Sequence, residues 1–299
     1  GKVYYDLLEK RDSDELIDTA LIRVEQLYPF PEQRLQEVLE RYPNLRPAYV
    51  RCGLFFPEEL IVDPRVAVSR MIKYCEDALG LAYFPRHLVA GISEGNKGVH
   101  LCTAAGDLFA ADKVFICAGS EFNMLFPELF AKSPIRLVKL QMMETLPQQQ
   151  ARLRGSVLTG WTIRRYESFK ECPAYASIKA QEDPQSFQRE HGIHILFKQS
   201  PEGGVIIGDS HHYAPVTEPE RIDFNTDTLI NNFMLWQAQR IIDLDDWRIR
   251  KTWLGFYSET TEGDIFNIPT GIFRGFENIG TDYGLIMAIL GGDDAGGGV

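Results

Sequence analysis

Apolar residues recur along the chain with two periods, and the alternation between them divides it into elements. Val3, Tyr4, Leu7 and Leu8 give a short helical stripe, and residues 20–28 read as a strand with Ile22 and Val24 on one face. Pro29-Phe30-Pro31 ends that strand. Pro31 suits the first turn of a helix on which Leu35, Val38, Leu39 and Tyr42 recur at helical spacing. Pro43-Asn44 closes that helix, and residues 47–52 suggest another short strand. Asp63 is a capping residue followed by Pro64, a favoured first helical residue. Val68, Met71, Ile72, Cys75 and Leu79 then share a face, and Gly80 fits the C-terminal cap. The last helix is expected over 227–242, capped by Asn225 or Thr226, with Leu229, Ile230, Phe233, Met234, Ile241 and Ile242 buried.

Between the helices the period falls to two or the apolar runs become continuous. Residues 88–92, 98–103 and 111–120 read as three strands joined by loops at Gly95-Asn96 and Ala105-Gly106-Asp107. The last of them, Val114-Phe115-Ile116-Cys117 before Ala118-Gly119-Ser120, has the look of a strand buried on both faces. Residues 136–142 and 160–166 are two further β-type runs. Residues 192–199 and 205–210 form a hairpin across Pro201-Glu202-Gly203-Gly204, and residues 247–254 return as a strand. Residues 291–299 are a low-complexity tail, expected to be disordered rather than a phosphate loop. No internal repeat is visible.

Charge and composition narrow the function classes. The 299 residues carry a formal net charge of −11, which argues against a nucleic-acid surface. At 44% hydrophobic and 24% charged the composition is that of a soluble globular protein. Residues 283–290, the longest apolar run near the end, are too short to span a bilayer, and no signal peptide is visible at the start. The five cysteines, Cys52, Cys75, Cys102, Cys117 and Cys172, form no CxxC pair and read as free thiols of a reducing cytoplasm.

Two resemblances cover the chain. Residues 1–11, with Tyr4-Tyr5-Asp6-Leu7-Leu8, and residues 20–31, with Ile22-Arg23-Val24-Glu25-Gln26-Leu27-Tyr28, resemble the C-terminal region of the thiamine-dependent component of the 2-oxoglutarate dehydrogenase complex; the likeness stops near residue 47. The thiamine site of such enzymes lies elsewhere. Residues from 52 to about 290 resemble FAD-dependent oxidoreductases of the D-amino-acid oxidase, glycine oxidase and D-amino-acid dehydrogenase superfamily. The motifs are Pro57-Glu58-Glu59-Leu60 with Val62-Asp63-Pro64-Arg65, residues 111–119, Leu125-Phe126-Pro127-Glu128-Leu129, Lys139-Leu140-Gln141-Met142, Arg165-Tyr166 and Gly192-Ile193-His194. Val205-Ile206-Ile207-Gly208-Asp209-Ser210-His211 is the most specific of them.

The second resemblance implies an α/β plus α+β chain: a partial doubly wound FAD-type domain and an antiparallel-sheet substrate domain. Residues 1–51 are read as an α/β unit, 52–133 with 270–290 as the partial FAD domain, and 134–269 as the substrate domain. It also implies FAD as cofactor, a small amine or amino acid as substrate, and hydride transfer to the flavin. Val89, Cys117, Ala118, Gly119, Gly280 and Gly284 are then cofactor contacts, and Arg165, Tyr166, His211 and Tyr257 substrate contacts. Two departures stand out. No GxGxxG precedes residue 52, and Tyr257 occupies the position of a carboxylate-binding Arg in Trp253-Leu254-Gly255-Phe256-Tyr257. Tyr donates one hydrogen bond where Arg clamps with two. Tyr257 and Arg165 are read either as substrate contacts or as surface or packing residues, and His211 either as lining the flavin face or as a hairpin histidine. Adjacent His211 and His212 face opposite ways on a strand, and His191 and His194 share the difficulty, so metal binding is not expected. The sequence thus reads as a chimera or fragment of an FAD enzyme. The alternatives are a thiamine-diphosphate fragment and a non-catalytic binding protein.

Overall fold

The structure, a computed structural model, describes residues 6–7, 32–55, 61–95, 98–165 and 175–260. The expected strand over 20–28, the glycines Gly280 and Gly284, Tyr166 and the tail lie outside those residues. The first elements are strands β1 (Asp6–Leu7) and β2 (Glu32–Arg34), helix α1 (Leu35–Arg41) and strand β3 (Cys52–Leu54). Asp6 and Leu7 are extended, pairing in parallel with Leu158 and Thr159, where the apolar spacing suggests a helix. Four apolar residues make too short a stripe to hold a helix against a neighbouring strand edge. Extended structure also precedes α1, since Glu32–Arg34 pairs with Cys52–Leu54, and the strand expected at 47–52 begins only at Cys52.

Helix α2 (Pro64–Leu79) has the ends its sequence requires. Asp63 is the N-cap and accepts from the Arg65 backbone N–H at 3.1 Å, and Gly80 closes the helix at φ 71°. A left-handed φ suits glycine and strains most other residues. Strands β4 (Val89–Gly95), β5 (Gly98–Thr103) and β6 (Leu108–Ala111) then form an antiparallel meander.

The run 113–118 is not the buried strand its composition suggests. It has no regular secondary structure, and Phe115 is 85% exposed. A strand buried on both faces needs ladder partners and apolar cover on each side. The meander ends at Ala111, and among the described residues no strand pairs with 113–118. Val68, Met71 and Leu79 on the apolar stripe of α2 are exposed for the same want of a covering layer.

Helix α3 (Pro127–Ala131) leads into the central strand β7 (Ile135–Thr145), followed by β8 (Val157–Thr159) and helices α4 (Gly160–Arg165), α5 (Tyr175–Gln181) and α6 (Phe187–Glu190). Strands β9 (Leu196–Gln199), β10 (Val205–Gly208) and β11 (His212–Pro215), helix α7 (Thr228–Ile241) and the long strand β12 (Ile249–Thr260) complete the order. The β-type run at 160–166 is thus α4; a short apolar run cannot tell a strand from a helix by period alone. The sheet runs β1-β8-β9-β10-β7-β11, with β12 along the other edge of β7. Apart from the parallel β1–β8 pair, its ladders are antiparallel.

The core lies between one face of this sheet and α7. Met143, Val157, Phe197, Val205 and Ile207 meet Ile230, Met234, Ala238 and Ile241 there. Asp227 caps α7, one position beyond the expected caps, and Leu229 is exposed at 67% rather than buried. Val38, Tyr42, Leu45, Tyr49 and Val50 join the same core. Backbone bonds from Arg46 N–H to the Ile241 carbonyl (2.8 Å) and from Asp243 N–H to that of Asn44 (2.7 Å) fasten the N-terminal unit to the end of α7.

Candidate functional site

Successive side chains of β7 point to opposite faces of the sheet. Met143 faces the core, so Val138, Leu140, Met142 and Glu144 face the other way. The register places Tyr257 opposite Val138, Gly255 opposite Leu140 and Trp253 opposite Met142 on β12. On the other side, Gly208 lies opposite Met142 and Tyr213 opposite Val138. The result is an apolar floor of buried Leu140, Met142 and Ile206 with half-buried Leu196, Trp253 and Tyr257. One end is held by Arg136, whose guanidinium stacks 3.8 Å from the Tyr213 ring and pairs with Glu259 at 3.2 Å.

Residues 209–211 join β10 to β11 beside this floor. Asp209 and His194 exchange backbone hydrogen bonds of 2.7 and 3.1 Å, and Ser210 Oγ accepts from the Gln141 backbone N–H at 3.3 Å. His194 Nε2 lies 2.9 Å from Asp209 Oδ1, and His211 Nδ1 lies 3.7 Å from the same oxygen. His194 Nδ1 meets Thr162 Oγ1 on α4 at 3.1 Å, and His211 Nδ1 meets the Gly192 carbonyl oxygen at 3.0 Å. The His194 and His211 rings stack with centroids 5.2 Å apart, and the Tyr257 ring stands edge-on to His211 at 6.2 Å.

The structure therefore brings two of the sequence candidates, His211 and Tyr257, into ring contact. His211 is only 3% exposed and stands behind Tyr257 rather than on the open surface. Arg165 ends α4, the helix that carries Thr162. Val89 begins β4, while Cys117, Ala118 and Gly119 are exposed in the coil beyond the meander. Gly119 has φ 61°, and a Cβ there would meet open space. His194, Asp209 and Thr162 were not singled out from sequence as a site. The signal is the hairpin itself: Leu196 pairs with Gly208, and beyond that pair the register shifts by one so that His194 faces Asp209 through their paired backbone bonds.

Adjacent histidines do diverge, as strand alternation requires. His211 meets His194, whereas His212 meets His191, Nε2 to Nδ1 at 3.0 Å. Burial holds the His212 imidazole below its usual range, and His191 and Lys139 act in the same direction, against Asp227 and Asp223. A base whose folded pKa is lowered binds fewer protons folded than unfolded below its usual pKa of about 6.5. Stability is therefore complete above that pH and falls as the solution is acidified through and below it. Urea midpoints at pH 7 and pH 5 are expected to differ, and His212→Asn is expected to reduce the difference. An unchanged difference in that variant would exclude His212 as its source.

A cavity of about 570 Å³ lies elsewhere, between the start of α2 and the β9–β10 turn, lined by Asp63, Arg152, Lys198 and Glu202 among others. Its charges are engaged. Arg65 bridges Asp63 and Glu202 at 2.8 and 3.3 Å, and Lys198 Nζ donates to the Val62 carbonyl at 2.6 Å. The Arg65 guanidinium holds the Asp63 carboxyl below its usual range. This groove reads as a seam between elements; the convergent side chains lie on the sheet face of β7, β10 and β12.

The sheet and its flanking helices match solved structures. L-proline dehydrogenase from P. horikoshii superposes with TM-score 0.65 at 18% identity, covering 88% of this chain and 62% of that one. Glycine oxidase from Geobacillus kaustophilus gives 0.59 at 16%, covering 88% and 60%. L-α-glycerophosphate oxidase from Mycoplasma pneumoniae, with FAD bound, gives 0.59 at 13%, covering 87% and 62%. The chain has the fold of these oxidases and dehydrogenases. It spans about three-fifths of their length. Residues 1–51 match a different family model, the 2-oxoglutarate dehydrogenase C-terminal one. The 2-oxoglutarate dehydrogenase E1 component of Azotobacter vinelandii is 59% identical over 46 residues, which are 15% of this chain and 5% of that protein. The Haemophilus influenzae component is 52% identical over 52 residues, 17% of this chain and 6% of that one.

Proposed function

We propose that the chain is an FAD-dependent oxidoreductase that oxidises the carbon–nitrogen bond of a small amine or amino acid. The observation that carries this reading is the apolar sheet face with its half-buried Trp253 and Tyr257, on a fold shared with glycine oxidase and L-proline dehydrogenase. Half-buried Leu196, Trp253 and Tyr257 over buried Leu140 and Met142 suit a flat ring system, and Gly208 lets the Met142 side chain pack against its backbone. Gly119, at positive φ under open space, suits a close backbone approach. FAD, when bound, accepts the hydride.

The chain's own residues bind and orient the substrate. The Tyr257 hydroxyl donates one hydrogen bond to a substrate carboxylate, and Arg165 supplies the cation that Tyr257 replaces in its own position. His211, packed behind the Tyr257 ring, fixes its orientation. The apolar floor excludes water from the face on which the carbon–hydrogen bond is presented. Residues 35–51 act here as scaffold, since Val38, Tyr42 and Leu45 are buried in the shared core. Cys52, Cys75, Cys102 and Cys117 are free thiols, which supports a reducing, cytoplasmic setting. Among the described residues no helix is long and apolar enough to cross a membrane.

Reconstitution tests the reading. The purified chain, incubated with FAD and desalted, is expected to keep a visible flavin spectrum that bleaches anaerobically with a small amine such as glycine, sarcosine or proline. A folded, colourless chain that takes up no FAD would overturn it in favour of a non-catalytic binding protein. Decarboxylation of 2-oxoglutarate with thiamine diphosphate would support the other alternative.

A further inference from the structure

His194, Asp209 and His211 come from two segments, yet one ligand-type atom of each lies within 4.8 Å of the other two. All three residues are buried, at 3, 8 and 3% exposure. Two imidazole nitrogens and one carboxylate oxygen are the donor set of borderline divalent ions. The spacings also fit: 2.9 Å from His194 Nε2 to Asp209 Oδ1 and 3.7 Å from that oxygen to His211 Nδ1 bracket the edge of a tetrahedron about 3.3 Å wide, as set by metal–ligand bonds of about 2.0 Å.

The surroundings support ligation. A metal-binding histidine commonly donates its second ring N–H to an oxygen, and Thr162 Oγ1 lies 3.1 Å from His194 Nδ1. With Nδ1–H donating to Thr162, the His194 Nε2 lone pair faces the Asp209 carboxylate, an arrangement that a cation between them relieves. His211 Nδ1 also lies 3.0 Å from the Gly192 carbonyl oxygen, a hydrogen bond that ligation by this nitrogen replaces. Gly192 has φ 56°, and a Cβ there would fall 2.9 Å from the His211 Cβ, so glycine permits the approach. The paired backbone bonds between His194 and Asp209 hold two of the ligands in place without a metal.

We propose that His194, Asp209 and His211 bind one divalent first-row transition ion of the zinc type. The ion clamps the segment entering β9 to the β10–β11 join, behind Tyr257. Because the three residues are buried, it lies out of a substrate's reach, and its role is to fix the sheet face.

The test is independent of flavin. The full chain, purified without metal affinity or chelator, is expected to hold close to one zinc-type ion per molecule after dialysis. The apo protein is expected to show ligand-field bands on titration with Co²⁺ and a rise in Tm on addition of Zn²⁺. The near-isosteric Asp209→Asn is expected to weaken binding at least about tenfold, while His212→Asn, next along the chain, leaves it unchanged. A folded wild type that retains no ion, gives no Co²⁺ bands and melts at the same temperature with Zn²⁺ would overturn the proposal and leave a hydrogen-bonded His-Asp-His cluster. Equal binding by Asp209→Asn would overturn the assignment to these ligands. Should that variant fail to fold, the wild-type titration decides alone.

Discussion

Phe197→Ala is expected to destabilise the protein by about 3–5 kcal/mol, the range for deleting a fully buried aromatic side chain. Phe197 is 0% exposed. Its strand is paired on both sides, with Ile207 on β10 and Val157 on β8 level with it, and both neighbours are themselves fully buried. Paired strands on either side cannot collapse into the space without breaking ladder bonds, so the cavity term is retained. Urea denaturation should show a lower midpoint at an unchanged slope. Phe115→Ala is the internal control. The same atoms are removed from a side chain 85% exposed, and the effect should stay within about 0.5 kcal/mol. Equal costs at the two positions would mean that the sheet core is misassigned.

Glu144→Ala is expected to cost about 2–3 kcal/mol, more than removing either of its cationic partners. Its side chain is 1% exposed, 3.2 Å from Arg250 and 3.0 Å from Lys251, and it accepts from Ser200 Oγ at 2.7 Å. Removing the carboxylate strips the buried Ser200 hydroxyl of its acceptor and empties a buried volume bordered by Ser200 and Gly204. Arg250 and Lys251 keep 33% and 41% of their side-chain surface in water, and when either is lost the other still compensates the carboxylate. Arg250→Ala and Lys251→Ala should each cost about 1 kcal/mol or less, as half-exposed pairs do. The inverse order in a denaturation series would show that the cations, not the carboxylate, anchor this end of the sheet.

Local chemistry in the sequence locates the elements it controls. Asp63, Pro64 and Gly80 delimit α2 because caps and first-turn prolines act within a few residues. The hairpin of β9 and β10 follows from its turn, whereas the pairing of His194 with Asp209 comes from a one-residue shift beyond that ladder. What sequence reasoning misjudges is decided by neighbours distant in the chain. Residues 113–118 have the composition of a buried strand but no ladder partner among the described residues. Asp6 and Leu7 become a strand because β8 offers an edge. Strand alternation separates adjacent His211 and His212; the pairing that forms crosses between segments, which spacing along one strand cannot reveal.

The hydrogen bonds that tie Asn44 and Arg46 to the end of α7 join two stretches of different kinship. The boundary visible in the sequence near residue 51 is therefore no mechanical joint. Leu45 and Ile242 sit in one bridge on either side of it, with Tyr42 and Met234 in one core. Heat or denaturant should melt residues 32–51 and the sheet in a single step, because neither can shed the other without uncovering the interior of both.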